Sequence, residues 1–190
     1  MSRNTYKSVL GVNKTKFSTR RNQELHLLEI SQGSWQEINI NIIGPLPKSN
    51  GMDAIVVIID WFTKMIWLKA TTTNISLKRI AKIYRDDIWK LHGIPKKILS
   101  NWEPQFILKF MEEFTKALEM KKQLLMAYYL QTDGQMERIN QEIGMFLRHY
   151  VNYQQDNWTD WLAIVEFQYN SKKHTTTRRT LFELNFGRYW

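Results

Sequence analysis

Hydrophobic and polar positions change period several times along this chain. Ile38, Ile40 and Ile42 alternate with polar residues, which predicts a half-buried strand over Trp35–Ile43. Gly44-Pro45-Leu46-Pro47 ends it, because proline cannot serve a central ladder, and Ser49-Asn50-Gly51 signals a turn. Ala54–Ile59 is wholly apolar and reads as a central strand covered on both faces; Met65–Ala70 reads as a third strand. From Ser76, a natural N-cap, the apolar residues Leu77, Ile80, Ala81, Tyr84, Ile88 and Leu91 recur at helical spacing. Gly93 and Pro95 stop that helix.

Beyond it the pattern predicts a short strand at Lys97–Ser100, an amphipathic helix at Phe106–Leu118 and a fifth strand at Gln123–Met126. A loop runs through Gly134, followed by helices over 135–153 and 158–170. Three strands in a meander followed by crossover units imply an α/β fold, a five-stranded mixed sheet flanked by helices. Residues 1–33 are polar and basic and read as an extended arm preceding one domain over 34–190.

Composition narrows the function classes. The apolar fraction of 43% suits a soluble, globular domain, and the six-residue run Ala54–Ile59 is too short to span a bilayer. With no cysteine, disulfides and thiolate zinc sites are excluded, and His26, His92, His149 and His174 lack metal-ligand spacing, so no zinc is expected. The formal charge of +9 biases the chain toward polyanions, and nucleic acid is the expected partner, bound non-specifically. No membrane partner is expected.

Several strings, taken in order, carry a family resemblance. They are Trp35-Gln36-Glu37-Ile38, Ile43-Gly44-Pro45-Leu46-Pro47, Asp60-Trp61-Phe62-Thr63-Lys64-Met65 and Trp89-Lys90-Leu91-His92-Gly93-Ile94-Pro95. Further on stand Pro104-Gln105-Phe106, Gln131-Thr132-Asp133-Gly134-Gln135, Glu137-Arg138-Ile139-Asn140-Gln141-Glu142, Tyr150-Val151-Asn152-Tyr153-Gln154-Gln155 and Phe182-Glu183-Leu184-Asn185-Phe186-Gly187-Arg188. Together they resemble the RNase H-like integrase catalytic core of Ty3/gypsy-type retrotransposons and retroviruses.

The resemblance implies a DNA strand-transfer chemistry run by two Mg²⁺ ions on three carboxylates, Asp, Asp and Glu. Here those catalytic and metal-binding places hold Asn41, Asn101 and Glu137, with the family's 35 residues between the last two. Mg²⁺ demands hard anionic oxygens, and an amide carries no charge and cannot bridge two ions as a carboxylate does. The expectation is an integrase-class domain that binds nucleic acid and lacks turnover. Two alternatives stand beside it: an active Mg²⁺-dependent nuclease or strand transferase rescued by Glu103, and a host-recruited, non-catalytic DNA- or protein-binding domain. Asp60 and Asp133 match common family residues outside the triad and are expected to be structural.

The resemblance also implies contacts to DNA from the helix that carries Glu137, with Arg138, Asn140 and Gln141 as candidates and Lys64 as a phosphate contact. Ile80, Tyr84, Ile88 and Leu91, with Ile139, Ile143, Phe146 and Leu147, are expected either in the core or on a homodimer face. The protein is expected to be intracellular, and nuclear if it functions as the family does.

Against the usual family string, Asn41, Trp61, Asn101, Trp102, Glu103, Tyr129, Leu130 and Met136 depart, each reachable by one C-to-T change on one DNA strand or the other. That bias, with no cysteine left of an upstream zinc module and a chain that closes with the core, leads us to expect a decaying element copy.

Overall fold

Residues 33–100, 104–118, 127–130, 134–173 and 178–188 are described by the computed structural model. The expected arm at 1–33 lies almost wholly outside them. Strands β1 (Glu37–Ile43), β2 (Ala54–Asp60), β3 (Ile66–Thr71) and β4 (Lys97–Ser100) build a mixed sheet. β1 pairs antiparallel with β2 and parallel with β4, and β2 pairs antiparallel with β3. The backbone of β5 (Ala127–Leu130) extends the sheet parallel to β4, giving the order β3-β2-β1-β4-β5.

The helices are α1 (Leu77–Ile83), a π-helical segment (Tyr84–Trp89), α2 (Lys90–His92), α3 (Pro104–Ala117), α4 (Gly134–Tyr150), α5 (Trp158–Asn170) and α6 (Leu181–Phe186).

Every residue of β2 is buried, as its unbroken apolar run predicts for a strand covered on both faces. Burying Ile55, Val56, Val57, Ile58 and Ile59 contributes on the order of 10 kcal/mol before chain entropy is charged against it. Tyr84, Phe110 and Phe114 form an edge-to-face and stacked aromatic set that joins the π segment to α3.

The helix expected from Ser76 to Leu91 is corrected in its second half. Ser76 does cap it, its hydroxyl accepting from the Arg79 N–H. Over Tyr84–Trp89 the backbone widens into π-helix, which adds a residue to the turn and shifts the phase of the residues beyond it. Ile88 stays in the core, but Leu91 swings out to 62% exposure.

Three further differences concern boundaries. The fifth strand is Ala127–Leu130, fixed by the register Lys97↔Ala127, whereas Gln123–Met126 lies outside the described residues. The α4 helix stops at Tyr150. Leu181–Phe186 is a helix that periodicity alone did not announce; a capping box between Thr180 and Glu183 starts it and Gly187, at φ 70°, ends it.

Strand β3 lies at the edge of the sheet, where unpaired main-chain groups need cover. Side chains of α5 supply it. Fully buried Asn170 accepts from the Ile66 N–H and donates to the Ile66 carbonyl, both at 2.9 Å, in place of a neighbouring strand. One turn earlier, Glu166 accepts from the Leu68 N–H at 2.7 Å. Burial pushes its carboxyl up to about 7, with Asp87 adding to the rise, while the Leu68 N–H and Lys69 pull the other way.

Candidate functional site

The carboxyl ends of parallel strands point to one side of a sheet, and in open α/β folds ligands gather there. β1 and β4 run parallel with a constant offset, Glu37 beside Lys97 and Asn39 beside Leu99, 60 residues in each case (97 − 37 and 99 − 39). β5 continues the parallel set, with Ser100 beside Leu130. Asn41 therefore stands at the carboxyl end of β1, where β4 and β5 also finish. Helix α4 begins four residues beyond Leu130, and Glu137 sits in its first turn.

Asn41 is 9% exposed, on the strand face shared with Glu37 and Asn39. Its Oδ1 accepts from the Ile42 N–H at 2.8 Å, so the amide oxygen is already engaged by the backbone. Glu137 is exposed. Asn101, Trp102 and Glu103 lie outside the described residues, as does Asp133.

The resemblance implies a pair of Mg²⁺ ions, and the donors present do not suit them. A neutral amide whose oxygen serves a main-chain N–H and one exposed carboxylate do not meet the need of two hard dications for anionic, bridging oxygens. Among the described residues no group of three or more His, Asp or Glu could hold a metal ion. Among the described residues, Asn41 and Glu137 do not fit that centre.

Asp60 does not share a position with Asn41. It pairs with Ile38, three residues back along β1 from Asn41, which at strand rise is about 10 Å away. Its oxygens are also spent: fully buried, they accept from the N–H groups of Trp35, Phe62 and Thr63 and from the Thr63 hydroxyl at 2.6 Å. Asp60 organises the β2–β3 turn, as expected of a structural residue.

That same turn carries Lys64. Its φ of 64° is the left-handed region, and its ammonium lies 3.5 Å from the centroid of the Trp61 ring. On α4, Arg138 and Gln141 are exposed beside Glu137, so these three share an accessible face. Asn140 differs from expectation: it is half-buried, and its Oδ1 is buried without a partner among the described residues. Sequence reasoning passed over Glu142, which ion-pairs with Lys172 and, loosely at 3.8 Å, with Arg138. The i,i+4 spacing of Arg138 and Glu142 was the available signal.

The dimer-face option is closed for most of its residues. Ile80, Tyr84, Ile88, Ile139, Ile143 and Leu147 are all buried in the core, Phe146 packs partly against it, and Leu91 stands out in solvent. No helix of the described residues is long and apolar enough to cross a membrane.

No family model matches the chain. Among curated proteins it is similar to the Transposon Tf2-3 and Tf2-4 polyproteins of Schizosaccharomyces pombe (strain 972 / ATCC 24843). Each is 29% identical over 154 residues, covering 81% of this chain and 12% of the polyprotein. The chain thus spans about an eighth of the length of the relatives it matches.

Among solved structures, the HTLV-2 integrase catalytic core domain in complex with magnesium (trimeric form) superimposes with a TM-score of 0.58 at 16% identity. The match covers 82% of this chain and 99% of that one. The simian T-cell lymphotropic virus intasome in complex with PP2A regulatory subunit B56 gamma gives a TM-score of 0.63 at 14% identity, over 82% of this chain and 56% of that one.

Proposed function

We propose that this integrase core domain, identified by its relatedness to Tf2 polyproteins and by its fold, binds nucleic acid and does not catalyse strand transfer. The observation that carries the reading is Asn41 at the carboxyl end of β1, its oxygen turned to the Ile42 N–H, with Glu137 the one acid of the three ancestral positions. Loss of even one well-placed electrostatic group at an active site costs roughly 10²–10³ in rate, and two such losses at metal ligands remove measurable turnover. The basic charge of the chain and the exposed face of Glu137, Arg138 and Gln141 support the binding half of the proposal.

In this reading residues 34–190 form the domain and 1–33 a basic arm that adds phosphate contacts. Self-association belongs to the same proposal, and a nuclear location would follow only for a chain that functions as the family does. The chain is read as the product of a decaying element copy.

Metal titration by calorimetry tests it, comparing the natural chain with Asn41→Asp/Asn101→Asp. We expect Mg²⁺ binding, and Mg²⁺-dependent nicking of plasmid DNA, in the double variant and in it alone. Nicking by the natural chain that disappears in Glu137→Gln would instead establish an active nuclease.

A further inference from the structure

We propose that Arg138 and Lys172, gathered by Glu142, form one cationic fork that takes a phosphodiester of a nucleic-acid backbone where α4 meets the end of α5. The inference rests on the nucleic-acid-binding reading and deepens it by assigning a contact to this junction. Arg138 and Glu142 lie one turn apart on α4, and Lys172 follows the end of α5. Each cation takes a different oxygen of the same carboxylate: the Arg138 Nε stands 3.8 Å from Oε1, and the Lys172 Nζ ion-pairs with Oε2. One acid thus brings together two cations from separate helices, and the cluster keeps a net positive charge.

Exposure gives the cluster a direction. The Glu142 side chain is 20% exposed, against 43% for Lys172 and 82% for Arg138, so the acid lies beneath and the cations face solvent. The Lys172 ammonium also lies 5.0 Å from the centroid of the Tyr169 ring and 5.8 Å from that of Phe146. Carboxylate and ring faces fix its position, and a cation already positioned loses less side-chain freedom when a ligand arrives. An ammonium has three N–H donors and a guanidinium five, more than one carboxylate can accept, so donors remain for a second anion. The Arg138 pair is long and solvated, a contact weak enough to share its guanidinium with a phosphate oxygen. Lys173 is exposed next in the chain, and the net charge of +9 favours a polyanion over a lone anion.

Fluorescence anisotropy with a labelled DNA duplex, titrated at a series of potassium chloride concentrations, tests the proposal. Each phosphate contact contributes about 0.9 to the slope of log Kd against log salt. Lys172→Gln and Arg138→Gln are each expected to weaken binding and to make that slope shallower by about that amount. Lys172→Arg, which keeps the charge, is expected to restore it. Lys116→Gln removes an exposed cation from α3, paired with Glu113, and is expected to leave the slope as it is. Arg138 is the more exposed of the two cations, so its variant reads the contact without disturbing the core. An unchanged slope in either Lys172→Gln or Arg138→Gln would overturn the inference and leave the nucleic-acid reading standing. A loss as large in Lys116→Gln would do the same, because the charge would then act diffusely. Absence of binding by the natural chain at every salt concentration would overturn both.

Discussion

Replacing Glu166 by glutamine separates the charge of this side chain from its hydrogen bond. Glu166 lies on α5 against the edge strand β3 and accepts from the Leu68 N–H at 2.7 Å. Its surroundings hold one like charge, Asp87, and one opposite charge, Lys69, which are themselves paired at 3.0 Å. Desolvation dominates and raises the carboxyl from 4.5 to about 7. A difference of that size between the folded and unfolded chain corresponds to about 3 kcal/mol.

The sign comes from proton uptake. Between about 4.5 and about 7 the folded chain holds a proton on Glu166 that the unfolded chain has released, so stability falls as pH rises through this window. The contribution is complete below the lower value and lost above the upper one. The glutamine side chain would keep a carbonyl oxygen for Leu68 and never ionise. Urea denaturation of both chains at about pH 4 and about pH 8 reads the effect as a difference of differences, in which all other titrating groups cancel. Glu166→Gln should match the natural chain at the lower pH and exceed it by about 2–3 kcal/mol at the higher. An equal gap at both values would refute the assignment of a raised carboxyl to Glu166.

Asn170→Ala should destabilise by about 2–4 kcal/mol in the same denaturation assay, because it strands the Ile66 N–H and carbonyl at a buried sheet edge. Asp60→Ala should lower stability by on the order of 4 kcal/mol, since four donors lose a shared buried acceptor, and hydrogen exchange at Trp35 and Thr63 should speed up with it. Thr180→Ala removes the N-cap of α6 and should cost about 1 kcal/mol, read as a lower melting temperature, with Thr180→Ser nearly neutral.

Much of the candidate site was legible before any coordinates. The resemblance singled out Asn41, Asn101 and Glu137, and the structure adds that Asn41 stands at the carboxyl end of β1 and Glu137 in the first turn of α4, while Asn101 lies outside the described residues. Residue identity could not reveal that the Asn41 oxygen is taken by its neighbour's N–H, or that Asn140 turns its oxygen inward. Both are matters of packing around a side chain, and a helical-wheel reading treats every flanking position alike. The α6 helix was a different kind of miss: Thr180, Glu183 and Gly187 spelled its caps, but six residues are too few for periodicity to register.

Local pattern, then, determined the first four strands and the starts of the longer helices, because apolar period and turn chemistry act over a few residues at a time. Tertiary structure decided the features that depend on residues far apart in the chain. It set the register that brings the ends of β1, β4 and β5 together, the π segment that turns Leu91 outward, and the cover that Glu166 and Asn170 give to an edge strand about 100 residues earlier in the chain. Those pairings form only when burial forces each main-chain group to find a partner, and no short window of sequence contains both halves of the bond.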